Sequence, residues 1–347
     1  MRRPREMTMK LLLSAAIAAG AFAVSAIPSM AADYTIRCQH FVSPKAGVPS
    51  RFMQPWADKV MAETGGKLKI ELYPGMQLGG KPPALYDQIK DGVIDCGWAL
   101  PAYTPGRFPS TEAIEQPFVT TMSAEKSSRA AWEYTQKWGG DDFKDVHLVA
   151  VHVHGQGIIH KKGDPVTKLE DFEGLKLRGP SRAANGMLEA MGATTVGMPV
   201  PAFPEALSKG VVDGGVIPAE IVIPLKVHEL ADSHTYIGGD APFYNTFFIW
   251  AMNKDSYAAL PEDIRAVIDA NSGIEASAWA GRAMDEADAK MTEIMKSTDN
   301  QFHTISDEER ARWKAIADPQ VAAWAEGMEN GAEMLADAKA LMAKHNQ

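Results

Sequence analysis

Apolar and polar residues alternate from Tyr34 to Phe41, and Ser43-Pro44 breaks the alternation before a helical periodicity takes over from about Ser50 to Thr64. The first pattern predicts a strand and the second an amphipathic helix, stopped at Gly65-Gly66. Lys67 to Tyr73 alternates again, Pro74-Gly75 supplies a turn, and Pro82-Pro83 opens a helix that runs through Lys90. Gly92 to Trp98 then reads as a third, buried strand. Strand, helix, strand, helix, strand is the order of a parallel sheet covered by helices on both faces.

The pattern recurs about 100 residues later. Leu175-Lys176-Leu177 echoes Leu68-Lys69-Ile70, and Leu207 to Gly215 (LSKGVVDGG) echoes Ile89 to Gly97 (IKDGVIDCG). In the second pair a glycine ends each helix, and Val-Ile or Val-Val is expected to enter the sheet. The matched Gly-Val-x-Asp-x-Gly goes beyond shared hydrophobicity, so the chain is expected to hold two lobes built alike.

Two segments are long enough to pass from one lobe to the other: His147 to Lys161, and Asn245 to Asn253. After the second, Pro261 opens a helical stretch with few breakers towards Lys296, about 50 Å at 1.5 Å per residue, long enough to brace both lobes. Ser306 with Glu309 fits a capping box, and Asp307 to His345 reads as helical apart from Pro319. The expected division places residues 32–153 and about 245–280 in the first lobe, and residues 154–244 and about 281–347 in the second lobe and bracing helices. A cleft between the carboxyl ends of the two sheets follows, the place where open α/β sheets hold ligands.

Thr167 to Arg182 (TKLEDFEGLKLRGPSR) carries the clearest candidate chemistry. Thr167 and Glu170 fit a capping box for a short helix, Gly174 stops it, and the following strand delivers Arg178 to a turn. Ser181 is placed to cap a helix from Arg182 to Met191. Arg178 would thus stand beside free backbone N–H groups, with a planar guanidinium able to hold a carboxylate through two parallel hydrogen bonds. Trp98 in the first lobe, and Val216-Ile217 in the second, hold the corresponding strand ends.

Arg2, Arg3, Arg5 and Lys10 precede an apolar run from Leu11 to Ala26 that ends near Ser29-Met30-Ala31, the layout of a secretory signal peptide with cleavage after Ala31. No later run reaches the length of a membrane span, so the mature chain is expected to be exported, periplasmic and not inserted in the membrane. Removing residues 1–31 changes the balance from 35 basic and 44 acidic residues to 31 and 43. An acidic chain without a basic block is a poor partner for nucleic acid, which leaves soluble organic ligands. Cys38 and Cys96, the two cysteines, could form one disulfide in an exported protein. The awkward geometry between adjacent parallel strands favours two separate buried thiols instead.

In order and spacing, the chain resembles the solute-binding subunits of tripartite ATP-independent periplasmic (TRAP) transporters, of the dicarboxylate-binding-protein type. The resemblance rests on Phe52 to Gly66 leading into LKIELYPGMQLG (68–79), Gly92 to Gly97, Gly106-Arg107-Phe108-Pro109, LEDFEGLKLR (169–178), Gly192-Ala193, GVVDG (210–214) and Leu260-Pro261-Glu262-Asp263. It implies a two-lobed, type II-like α/β binding protein, its lobes joined by crossing strands and a long helix. Such a protein closes over a carboxylate solute and hands it to integral-membrane TRAP permease subunits. It also implies that Arg178 is the carboxylate-gripping arginine. Two departures bear on the solute. Val216-Ile217-Pro218 stands where many members have a polar Asn, and Ile158-Ile159 lies near the second arginine of the sialic-acid-binding branch.

With those polar groups missing, Trp98, Tyr103, Phe243 and Tyr244 become candidate walls for an apolar or aromatic monocarboxylate, ahead of a sugar acid or short dicarboxylate. Ordinary core packing is the competing reading for each aromatic. Ile217 joins them from its strand end, and His40 and Gln77, in loops after the first two strands, could add hydrogen bonds. His152, His154, His228 and His234 invite a metal or an enzyme. The chain has no HExxH, GxSxG or glycine-rich phosphate loop, so no cofactor and no catalysis are expected. A binding protein serving an ATP-driven transporter or a sensor would share the same cleft.

Overall fold

The computed structural model describes residues 32–347, so the expected signal peptide lies outside the described residues. The first pass of the chain is β1 (Tyr34–Gln39), α1 (Gln54–Glu63), β2 (Leu68–Tyr73), α2 (Leu85–Lys90) and β3 (Cys96–Ala99), then α3 (Glu112–Glu115), α4 (Ala124–Trp138) and β4 (Val146–Val153). The second pass is β5 (Gly157–Lys161), β6 (Lys176–Gly179), α5 (Arg182–Ala190), β7 (Thr194–Gly197), α6 (Phe203–Ser208), β8 (Gly214–Pro218) and β9 (Ser233–Tyr236). The chain then returns as β10 (Phe247–Asn253), α7 (Lys254–Ala258) and α8 (Glu262–Ala270). It ends with α9 (Ile274–Lys296), β11 (Gln301–Thr304), α10 (Asp307–Gly327) and α11 (Gly331–His345).

Two sheets result, ordered β2-β1-β3-β10-β4 and β11-β9-β5-β8-β6-β7. They are mixed, where the sequence suggested parallel sheets: β10 runs antiparallel between β3 and β4, and β5 runs antiparallel between β8 and β9. Both exceptions follow a passage from one sheet to the other, and an entering strand has no βαβ crossover to set it parallel.

The internal repeat is present in three dimensions, with one shift of alignment. In β2-β1-β3 and β7-β6-β8 the first strand of each unit lies in the middle, so β6 matches β1 and not β2. The Leu-Lys-Ile and Leu-Lys-Leu echo therefore pairs non-equivalent strands. The Gly-Val-x-Asp echo does correspond. Gly92 and Gly210 end α2 and α6 with φ of 70° and 69°. Asp95 then accepts from the Arg37 N–H and Asp213 from the Lys176 N–H, each at 2.8 Å. The third strand starts later than expected, at Cys96: Val93 and Val211 are 55% and 45% exposed, and only Ile94 and Val212 turn inward.

The cysteines are a correction. Cys38 of β1 and Cys96 of β3 are register partners, their Cα atoms 4.4 Å apart, and they are joined as a disulfide. Directly opposed positions bring the two Cβ atoms within bridging range, which the general expectation for parallel neighbours did not allow.

The long helix is also shorter than expected. Asn271 to Gly273 interrupts it, Gly273 taking φ 89°, and α9 alone spans about 34 Å. It packs on α4, on β4 and on the short turn Ala219–Ile221 after β8, and so touches both sheets. Pro319 does not end α10. The break falls after Gly327, where Asn330 adopts φ 57° and α11 turns back onto α4. Ser306 caps α10 as expected, but Glu309 reaches away to the Leu169 N–H.

Candidate functional site

The site forms where the carboxyl ends of strands from both sheets face each other. Phe41 and Val42 follow β1, Trp98 lies in β3 with Leu100 and Tyr103 beyond it, and His154 sits in the passage from β4 to β5. From the second sheet come Arg178 of β6, Pro180, Val200, and Ile217 and Pro218 of β8, followed by Glu220 and Ile221. Tyr244, Thr246 and Phe248 enter on the return to β10.

Arg178 is 2% exposed. Its Nε and Nη2 donate to the Met198 carbonyl at 3.0 and 2.8 Å, and Nη1 donates to the Val216 carbonyl at 2.9 Å. A guanidinium carries five N–H groups, so one hydrogen remains on each terminal nitrogen. The local fold that places it follows most of the expected device. Gly174 has φ 78°, and Ser181 Oγ accepts from the Ala184 N–H at 3.2 Å to cap α5. The preceding turn differs: Asp171, not Glu170, accepts from Thr167 N, Thr167 Oγ1 and Lys168 N, while Glu170 pairs with Arg312. Burial lowers the Arg178 pKa, and what opposes it comes from Tyr103 and Tyr244; among the described residues no carboxylate pairs with it. The cleft thus contains a desolvated positive charge held by dipoles alone, a costly arrangement until an anion joins it.

Flat rings form the opposite wall. Phe41 stacks on Trp98 with centroids 4.6 Å apart and planes 1° from parallel, and Trp98 stacks on Phe248 at 4.9 Å and 11°. Trp98 Nε1 donates to His152 Nε2 at 2.8 Å, which fixes the indole plane. Parallel faces of this kind accept another planar ring by offset stacking. Tyr103 accepts from the Val200 N–H at 2.9 Å and lies beside Arg178. Tyr244 Oη and His154 Nε2 are buried and have no hydrogen-bond partner.

Five of the eight residues singled out from the sequence, Arg178, Trp98, Ile217, Tyr244 and Tyr103, are brought together here. The other three are not. Phe243 points the other way, against Trp313 at 5.9 Å, in the core that also holds Phe172. Gln77 is exposed in the turn after β2. His40 is buried behind Phe41 in sequence, outside the cleft lining, its pKa lowered to about 4 by burial.

His154, Phe248 and Phe41 are cleft residues that the sequence reading passed over as site candidates. In the sequence His154 reads as a candidate metal ligand, and Phe248 as part of a crossing strand. His160 meets His234 at 2.6 Å and the Ile217 carbonyl at 3.2 Å, and His234 meets Asn300 at 2.9 Å, whereas His228 Nδ1 is buried without a partner. Glu220 gave no sequence signal. It is a buried carboxyl after β8 that accepts from the Gly47 N–H at 2.9 Å, joining the two sides of the cleft, and burial raises its pKa to about 7.

Both passages between the sheets are clamped by one side chain. Asn245 Nδ2 donates to the His154 carbonyl at 2.8 Å, and its Oδ1 accepts from His154 N at 3.2 Å and Thr246 N at 2.7 Å. Glu115 adds a bond from Phe247 N at 2.8 Å.

The profile of the family described as bacterial extracellular solute-binding protein, family 7 (DctP), matches residues 39–327. Among solved structures, a TRAP solute-binding protein from Rhodoferax ferrireducens, in complex with copurified benzoate, is 44% identical. It covers 90% of this chain and 98% of its own, with a TM-score of 0.88. A marine-metagenome TRAP solute-binding protein specific for aromatic acid ligands, with co-crystallised 3-hydroxybenzoate, is 40% identical over 90% of this chain and 99% of its own, also with a TM-score of 0.88. The C4-dicarboxylate-binding periplasmic protein DctP of Rhodobacter capsulatus is 26% identical over 97% of this chain and 100% of its own.

Proposed function

The chain belongs to the family 7 bacterial extracellular solute-binding proteins and is a TRAP solute-binding protein, and from that premise we propose that its solute is an aromatic monocarboxylate. One observation carries this reading: a buried guanidinium without a counter-charge faces a wall of parallel rings in one cleft. The carboxylate would take the remaining N–H groups of Arg178 and the ring would lie against the stack of Phe41, Trp98 and Phe248, with Tyr103, Ile217 and Tyr244 as further contacts. The aromatic acids bound by the two structural relatives support the same solute class. A dicarboxylate would need a second cation, and among the cleft residues Arg178 is the one permanent positive charge.

The working cycle follows from the lobes, taken as residues 32–153 with about 245–280, and 154–244 with about 281–347. The open form admits the solute, closure about the two passages excludes water, and the closed surface docks on a membrane permease, with transport powered by the permease and no catalysis here. The protein acts in the periplasm after cleavage near Ala31. Among the described residues no helix is long and apolar enough to cross a membrane.

Thermal unfolding against a panel of aromatic acids, aliphatic dicarboxylates and sugar acids tests the reading. A solute at one hundred times its dissociation constant adds about 2.7 kcal/mol of stability. Arg178→Ala is expected to remove the shift, and Arg178→Lys to bind poorly because a point charge lacks the two-pronged grip. Unchanged affinity in Arg178→Ala refutes the site, and a response to dicarboxylates alone refutes the solute class.

A further inference from the structure

The cleft contains more unmatched polarity than a carboxylate can satisfy, and the mismatch has a direction. Arg178 offers only donors. Tyr103 already accepts from the Val200 N–H, so its own proton is left to donate. A carboxylate, which only accepts, suits both. His154 is different. Its Nδ1 lies 2.8 Å from the Gly155 carbonyl, which requires the proton on Nδ1 and leaves Nε2 a bare acceptor. That nitrogen is buried in the cleft lining without a partner. Burial and the Arg178 charge both keep the imidazole neutral, with the pKa lowered to about 4.

Tyr244 stands beside it, ring centroids 5.0 Å apart at 60°, with its hydroxyl also unpartnered. Burial holds that phenol protonated. The two groups do not satisfy each other. One buried atom that must receive a hydrogen therefore neighbours one that can give a hydrogen.

Resting on the reading of the solute as an aromatic monocarboxylate, we propose that His154 and Tyr244 form a second polar anchor that selects aromatic carboxylates bearing a hydroxyl group. A hydroxyl donates to His154 Nε2 and accepts from Tyr244 Oη at once. An unsubstituted ring leaves both unpaired, and a methoxy group can accept but cannot donate. A second carboxylate fails at His154 for the same reason. Buried polar groups left unpaired are what turn a missing hydroxyl into lost affinity.

The test is a set of dissociation constants, by calorimetry, for benzoate, the three monohydroxybenzoates, mandelate and the methoxybenzoates, with wild type, His154→Phe and Tyr244→Phe. The expected result is that at least one hydroxy acid binds about tenfold or more tightly than both benzoate and its methoxy analogue, near the upper end for a neutral hydrogen bond. That ratio should fall to within about threefold in His154→Phe, and Tyr244→Phe should reduce it as well. The ratio is unaffected by a general loss of fold, and if one variant does not fold the other decides. Equal binding of benzoate and all hydroxy acids by wild type overturns the proposal while leaving the solute class standing. So does a preference that survives both substitutions. If no aromatic carboxylate binds, the solute class falls and the second anchor falls with it.

Discussion

Lowering the pH from 6.5 to 5 should destabilise this fold by roughly 2 kcal/mol, and raising it above 6.5 should destabilise it again. Burial holds five histidines neutral: His40, His154 and His234 have pKa values lowered to about 4, His152 to about 3, and His160 well below its ordinary value. An unfolded chain protonates all five as the pH falls through 6.5, and the folded chain does not. Their contribution is complete above 6.5 and is lost as the pH falls towards their folded values. Buried carboxyls act the other way, Asp142 and Asp285 modestly and three others most strongly. Burial raises Glu115 to about 8 and Glu220 to about 7, and holds Asp288 well above the usual range. These keep protons that an unfolded chain has released, so their penalty grows as the pH rises from about 4.5 to each folded value. At pH 6.5 the two sets nearly cancel and by pH 5 the unfolded chain holds about two more protons, an average of about one over the interval and so roughly 2 kcal/mol at 1.36 kcal/mol per proton and pH unit. Above 6.5 only the carboxyls remain, and stability falls. Urea unfolding at fixed temperature from pH 4.5 to 8.5 should give a maximum near 6.5. Glu115→Gln, whose amide oxygen can still accept from Phe247 N, should recover roughly 2 kcal/mol of the alkaline loss between 6.5 and 8. Stability that rises steadily from pH 5 to 8, or an alkaline limb that Glu115→Gln leaves unchanged, refutes the reasoning.

Two further outcomes follow from the fold. The Cys38–Cys96 disulfide closes a sequence separation of 58, so chain-entropy arguments assign it about 4 kcal/mol; Cys38→Ala with Cys96→Ala should lower the urea midpoint, and a reductant should change wild type but not the double variant. Asn245→Ala leaves the His154 N–H and carbonyl and the Thr246 N–H buried without their partner, for an expected loss of about 3 kcal/mol or more at roughly 1–3 kcal/mol per orphaned group, and an unfolding free energy within 1 kcal/mol of wild type would contradict the clamp.

Much of the fold was legible because its signals are local. Gly65-Gly66, Gly92, Gly174 and Gly210 mark stops that the backbone honours with positive φ, and Ser181 and Ser306 cap the helices they precede. What escaped depends on partners distant in sequence. Nothing near Cys38 says that it faces Cys96, since register between strands 58 residues apart is set by the whole sheet. Val93 and Val211 read as strand residues because β-branched side chains suit sheets, yet the glycine before each leaves them in a turn. At the site, Arg178 was legible from its turn and cap. His154 and Phe248 were not, because a residue in a passage between sheets shows no face until the register of β4 with β10 is known.

The order of the strands sets a schedule for folding. The first sheet has a gap beside β3 until residues 247–253 arrive, because β10 is an inner strand that pairs with both β3 and β4. The second sheet closes later still, when β11 at residues 301–304 reaches β9. Pairings this distant in sequence form slowly, since a large loop must close before any contact rewards it. Most of the chain therefore emerges during synthesis before either sheet is complete.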